Sequence, residues 1–127
     1  MKKTKKDMSD LISLPIITPS INAVNKRHWS YKGQLRKEYE LLIKSEMNKQ
    51  KIRKTESEEK WRLVIISNRK RLCDYDNFVA GCKQLLDALN HKYTGFIYDD
   101  APKYLEVLYV QKKNKLNTTE VYRYAEM

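Results

Sequence analysis

The seven residues Trp61 to Ser67 (WRLVIIS) constrain the chain more than any other stretch. Their β-branched density and short length describe a strand buried on both faces or nearly so, which needs a covering layer. Downstream, Phe78, Cys82, Leu85, Leu86 and Leu89 recur at i, i+4, i+7, i+8 and i+11, one apolar stripe at the period of an α-helix. Asp76, Ala80, Lys83 and Asp87 lie roughly opposite. An earlier helix is predicted from Lys32 to Gln50, where Leu35, Tyr39, Leu42 and Ile43 share a face and Ser30 is available as a cap. Leu11 to Ile17 reads as a first strand, with a turn at Pro19 to Asn22. Tyr104 to Gln111 and Glu120 to Ala125 read as the last two strands, joined by a polar turn. The expected order is β-α-β-α-β-β, an α/β (α+β) fold with a small mixed sheet of about four strands and two main helices.

At 127 residues the chain is expected to form one domain, residues 10–127, behind a flexible basic arm at residues 1–9. A hydrophobic fraction of 41%, with nine Tyr and two Trp, argues against disorder. No apolar run reaches the roughly 18 residues of a membrane span, and no apolar segment follows the first lysines as in a secretory signal, so no membrane association and a cytoplasmic location are expected. Cys73 and Cys82 fit neither a zinc site nor a disulfide framework and read as free thiols. The net charge of +10 points to a polyanionic partner, nucleic acid first, because cationic surfaces release counterions when they bind it.

In so basic a chain a cluster of carboxylates needs a reason. Asp74 and Asp76 are two apart, so at an extended strand end both side chains point the same way and can share a cation. Mg²⁺ is the hard cation that takes carboxylate oxygens while keeping waters for a phosphate. Asp99 and Asp100 are placed to add a ligand from another strand entrance, and carboxylates converging beside a basic surface describe a metal-dependent phosphodiesterase. Each piece also has a plainer reading. Asp76 or Asn77 would serve to cap the second helix, Asp99-Asp100-Ala101-Pro102 is a turn, and Lys83 belongs to a solvated face. Arg69, Lys70 and Arg71 beside the carboxylates are candidates for positioning a DNA backbone, or else an exposed basic edge. Lys26, Arg27, His28, Trp29 and Tyr31 mix cations with aromatics, a composition suited to phosphates and unstacked bases.

Taken together, PSIN (Pro19 to Asn22), DYDN (Asp74 to Asn77), Lys83, LLDAL (Leu85 to Leu89) and IYDDAP (Ile97 to Pro102) occur in an order that resembles the RusA family of Holliday junction resolvases, common in phage and prophage genomes. The resemblance runs from about Leu14 to the C-terminus. It implies a small α/β subunit, a homodimer, and Mg²⁺-dependent paired nicking of four-way DNA junctions in recombination and repair, with Mn²⁺ as a substitute metal. It places the metal-binding aspartates on Asp74, Asp76 and Asp100 and the catalytic lysine on Lys83; Asp99 and Asn77 beside them are candidate accessory groups, Asp99 to orient a metal-bound water or else only to begin the strand. One departure stands out: many members carry the lysine four residues after the second aspartate, where this chain has Ala80. Three extra residues are close to one helical turn, so a simply extended helix keeps Lys83 on the same face about 5 Å further along its axis. If the extra turn is taken up before the helix starts, the site is unchanged. A flap or duplex nuclease and a non-catalytic protein binding structured nucleic acid are the alternatives.

Overall fold

The computed structural model describes residues 9–125. Of the basic arm expected at residues 1–9, only Ser9 lies among them, and it opens a strand. Four strands, β1 (Ser9–Leu14), β2 (Trp61–Arg69), β3 (Leu105–Lys113) and β4 (Thr118–Ala125), form one sheet in the order β1-β4-β2-β3. β4 runs antiparallel to both β1 and β2, whereas β2 and β3 are parallel. The fold is therefore the expected mixed four-stranded α+β class. β2 lies between β4 and β3, as its apolar run requires. Between β1 and β2 come α1 (Ile21–Asn25) and α2 (Tyr31–Gln50), and the crossover that parallel neighbours need is made by α3 (Tyr75–Gly81) and α4 (Lys83–Leu89).

Strand alternation sorts the sheet into two unlike faces. On one face the paired rows are Asp10, Arg123, Leu63 and Val107, then Ile12, Val121, Ile65 and Tyr109. Ile12, Val121, Leu63 and Ile65 belong to the buried core, with Leu35, Tyr39, Ile43 and Met47 of α2 and Phe78, Cys82, Leu85 and Leu89 of the crossover. The helical layer thus covers this face. Burial pushes the Cys82 thiol up to about 12, against the opposing effects of Thr18 and Arg69, so this free cysteine is packing and not a nucleophile.

Local differences from the sequence expectations have physical causes. PSIN is not a free turn: the Ser20 side chain accepts the Ala23 N–H and caps α1. Ser30 precedes α2 but forms no cap bond there, because its hydroxyl is engaged by His28 Nδ1 at 2.9 Å. The apolar stripe from Phe78 to Leu89 is buried as expected, yet the helix that carries it is broken at Cys82. A Cβ on Gly81 would lie 2.0 Å from the Pro19 carbonyl oxygen, so the chain entering α1 is seated on bare backbone where α3 ends.

Arg123 lies wholly within the core, at 0% exposure. Its Nε donates to Asp10 at 2.9 Å, and its other two nitrogens donate to the carbonyls of Phe96 (2.9 Å) and Arg53 (2.6 Å). The guanidinium also sits over the rings of Trp61 and Phe96, 4.5 and 4.7 Å from their centroids. Removing it leaves the buried Phe96 carbonyl and the partly buried Arg53 carbonyl without this donor. Arg123→Met is expected to cost about 2–4 kcal/mol in chemical denaturation. Arg123→Lys should recover only a minority of that, since one ammonium cannot reproduce a planar fork.

Candidate functional site

β2 continues two residues past the expected Ser67, and this decides the fate of the basic cluster. With period-two alternation Ser67 points into the helical layer, Asn68 away from it, and Arg69 back in. Arg69 is accordingly 7% exposed, with Nε on the Arg71 carbonyl (3.0 Å) and one terminal nitrogen on the Thr18 carbonyl (3.1 Å). The reading of Arg69 as a surface phosphate contact is corrected: it is a structural cation that ties β2 to the β1–α1 connection. Lys70 and Arg71 remain exposed.

Beyond Arg71 the chain is held by a residue that sequence reasoning missed. Gln111 on β3 accepts the Cys73 N–H at 3.0 Å and donates to the Cys73 carbonyl at 2.9 Å, closing the side chain on the backbone as a neighbouring strand would. Nothing in its surroundings, VQKK at a strand end, marks it in the sequence. This clamp fixes the residue immediately before Asp74.

Asp74 occupies the N-cap position of α3, with φ −57° and ψ 140°, and Asp76 lies in the first turn. The pair therefore straddles a helix start and is not on one extended strand, which corrects the shared-face geometry expected from spacing. Asp74 makes no side-chain cap hydrogen bond, and both residues are exposed. Asn77, next in the turn, is half-buried.

The break at Cys82 settles where the displaced lysine goes. Lys83 is the first residue of α4 rather than a later turn of α3, and its Nζ donates to Asp87 at 2.9 Å and to Asp100 at 3.2 Å. The hydrogen bond to Asp87, reinforced by that to Asp100, raises the Lys83 pKa against a smaller desolvation effect. Lys83 is therefore a firmly held positive charge and no proton acceptor near neutral pH. Asp99 Oδ1 accepts the Asp100 N–H at 2.8 Å and the Asn90 side-chain amide at 3.2 Å. Burial opposes ionisation of Asp99, but hydrogen bonding with Asp100, Ala101 and Asn90 outweighs it and lowers its pKa. Asp99 thus positions Asp100.

Lys83 and Asp100 are brought together, and Asp74 and Asp76 open the same crossover. Among the described residues no three His, Cys, Asp or Glu side chains gather closely enough to hold a metal ion. Asp100 faces the Lys83 ammonium. The aromatic and basic loop follows α1, which packs on α3. Trp29 is 84% exposed there, 5.2 Å from the His28 ring, and Arg27 lies 4.5 Å over Tyr31, the first residue of α2. Lys26 is exposed beside them. Leu72 and Tyr75, flanking Asp74, are also exposed and were not singled out in the sequence.

The two roles assigned to the basic cluster separate by stability. Arg69→Ala should cost roughly 2 kcal/mol in thermal or urea unfolding, from the buried Thr18 carbonyl and the partly buried Arg71 carbonyl losing their donor. Lys70→Ala and Arg71→Ala should stay within about 0.5 kcal/mol of the parent, as for surface changes without buried partners.

Compared with protein-family models and with curated proteins, the chain matches none, so the reading of this surface rests on its own residues.

Proposed function

We propose that the chain is an endodeoxyribonuclease acting on branched DNA, in the manner of the RusA-like resolvases it resembles: two copies nick paired strands of a four-way junction in the cytoplasm of a bacterial host. The observation that carries this reading is Lys83, held between Asp87 and Asp100 on the crossover whose start displays two exposed aspartates, Asp74 doing no capping work. Asp74, Asp76 and Asp100 offer carboxylate oxygens alone, the donor set that Mg²⁺ or Mn²⁺ takes. If these three carboxylates were drawn together around a divalent cation, it would supply Lewis-acid charge at a phosphate and would acidify a bound water toward neutral pH. Lys83, kept protonated by its two carboxylates, adds a fixed positive charge for the developing negative charge of the phosphate. Asp99 and Gln111 position the backbone of Asp100 and Asp74. Lys70, Arg71, Lys26 and Arg27 steer the DNA backbone, and Trp29, with Tyr31 behind it, presents a face for bases opened at the junction.

A second reading is a non-catalytic protein for structured nucleic acid, favoured by the fact that Lys83 already neutralises Asp87 and Asp100. Incubation of the protein with synthetic four-way junctions, flaps and linear duplexes, in Mg²⁺ and in EDTA, separates these readings. Junction cleavage confined to Mg²⁺ is expected; flap cleavage alone changes the substrate, and binding without cleavage favours the second reading. Asp74→Asn or Asp76→Asn should lower cleavage at least about 10²-fold while junction binding persists, because one main electrostatic contributor is lost and a repelling anion is gone. The same variants should lose heat of Mg²⁺ binding in calorimetry. Lys83→Ala should lower cleavage yet tighten Mg²⁺, since it frees two carboxylates; unchanged cleavage would reduce Lys83 to a solvated face.

Phosphate contacts leave a separate signature. The log of junction affinity should fall linearly with log salt by roughly 0.9 per phosphate neutralised. Lys70→Ala with Arg71→Ala should flatten that slope, and an unchanged slope removes both residues from the DNA footprint.

A further inference from the structure

Among the described residues two arginines are buried, Arg123 and Arg69, and their charges are balanced differently. Arg123 holds the Asp10 carboxylate at 2.9 Å. Arg69, only 7% exposed, meets neutral groups: Nε donates to the Arg71 carbonyl, and Nη1 to the Thr18 carbonyl and, at 3.5 Å, to the Ser67 hydroxyl. A guanidinium has five N–H donors, and these contacts use the one on Nε and both on Nη1. The remaining two, on Nη2, donate to nothing among the described residues. A cation taken out of water is costly until an opposite charge and full hydrogen bonding balance it. Arg69 therefore lacks an anion.

The same arginine lines a cavity of about 380 Å³, at the small end of the range for ligand pockets. Ile16, Ile17 and Pro19 of the β1–α1 connection and Leu35 of α2 supply apolar wall. Glu38, one turn beyond Leu35 on α2, also lines the cavity and is exposed. Apolar walls with one placed charge are the pattern of a small-molecule site. The charges select the occupant. One cation with donors to spare takes one negative charge, and Glu38 repels a second. A phosphate dianion or a nucleic-acid strand with its row of charges is therefore disfavoured, whereas a single carboxylate on an apolar body matches both the cation and the walls.

We propose that this cavity binds a small organic monocarboxylate, its carboxylate accepting from Arg69 Nη2 and its apolar body lying against Ile16, Ile17, Pro19 and Leu35. None of Asp74, Asp76, Lys83 and Asp100 lines the cavity, so the site stands apart from the nuclease reading and does not fall with it. Calorimetric titration of the full chain with benzoate should show saturable binding, with a dissociation constant on the order of 1 mM or tighter. Benzamide, of the same shape without the charge, should bind at least about 10-fold more weakly. Glu38→Gln should tighten benzoate by about 3-fold or more at low salt, because a repelling charge is gone, and should leave the melting temperature unchanged. Arg69→Gln should abolish binding. Because that variant also loses structural hydrogen bonds, Ala23→Leu provides an independent check: it adds bulk at an exposed position lining the cavity and leaves Arg69 in place. It should weaken benzoate at least about 10-fold without lowering the melting temperature, since the added atoms occupy the ligand's space. Absence of saturable binding by benzoate, phenylacetate and isocaproate alike overturns the inference, as does benzoate binding indifferent to Ala23→Leu. A Glu38→Gln variant that loses stability and gains no affinity also overturns it, by making Glu38 the counter-ion of Arg69. Dimethyl phosphate bound more tightly than benzoate overturns it in favour of a nucleic-acid backbone contact.

Discussion

One buried cation organises the side of the molecule remote from the site. Arg123 of β4 joins β1 through Asp10, the segment before β2 through the Arg53 carbonyl, and the loop after α4 through the Phe96 carbonyl. Burial lowers its pKa, while Asp10 pulls the other way. A lysine so placed could shed its proton; a guanidinium stays charged and meets three acceptors in fixed directions. The polar stretch between α2 and β2 is consequently no loose linker. Arg53 pairs with Glu59 at 2.8 Å, Trp61 Nε1 donates to Thr55 at 2.8 Å, and the Thr55 N–H reaches the Gly95 carbonyl at 2.7 Å. Gly95, at φ +80°, takes a backbone conformation that a side chain would strain, with Lys54 packed against it.

The class of the fold was legible because its two strongest patterns, the β-branched run of β2 and the stripe on the crossover, depend on local periodicity. What escaped was set by distant residues. The two-residue extension of β2 inverted the reading of Arg69, since a side chain's face flips with every residue of a strand. The bare backbone at Gly81 is needed by Pro19, some sixty positions earlier in the chain, and no helical pattern encodes that approach. The spacing of Asp74 and Asp76 meant one face only if the backbone stayed extended. Once α3 begins at Tyr75, successive residues turn by about 100° and the two carboxylates diverge.

The break at Cys82 places the lysine. In an unbroken helix the three extra residues would have carried Lys83 about one turn along the axis. Lys83 opens the restarted helix and pairs with Asp87 four residues on, while Asp100 arrives from the separate loop in which Asp99 bonds Asn90. An ammonium between two carboxylates is worth little as a stability device at this exposure. Its consequence is electrostatic: a positive charge of fixed position, with its proton secured, stands on an otherwise acidic spot of a basic protein.

These features give the molecule two chemically different sides. The helical layer and the loops after β2 and α1 carry the exposed aspartates, Lys83, Lys70, Arg71 and Trp29, while the far side of the sheet is apolar and charge-balanced. Like charge on the first side opposes self-association there, and the lack of surplus charge on the second removes any attraction for a polyanion. The surplus positive charge is therefore gathered on the surfaces other than the far sheet face, the Lys83 site among them. An acidic partner would meet that field before any specific contact formed, so association should be fast at low salt and lose speed steeply as salt screens the field over about a Debye length.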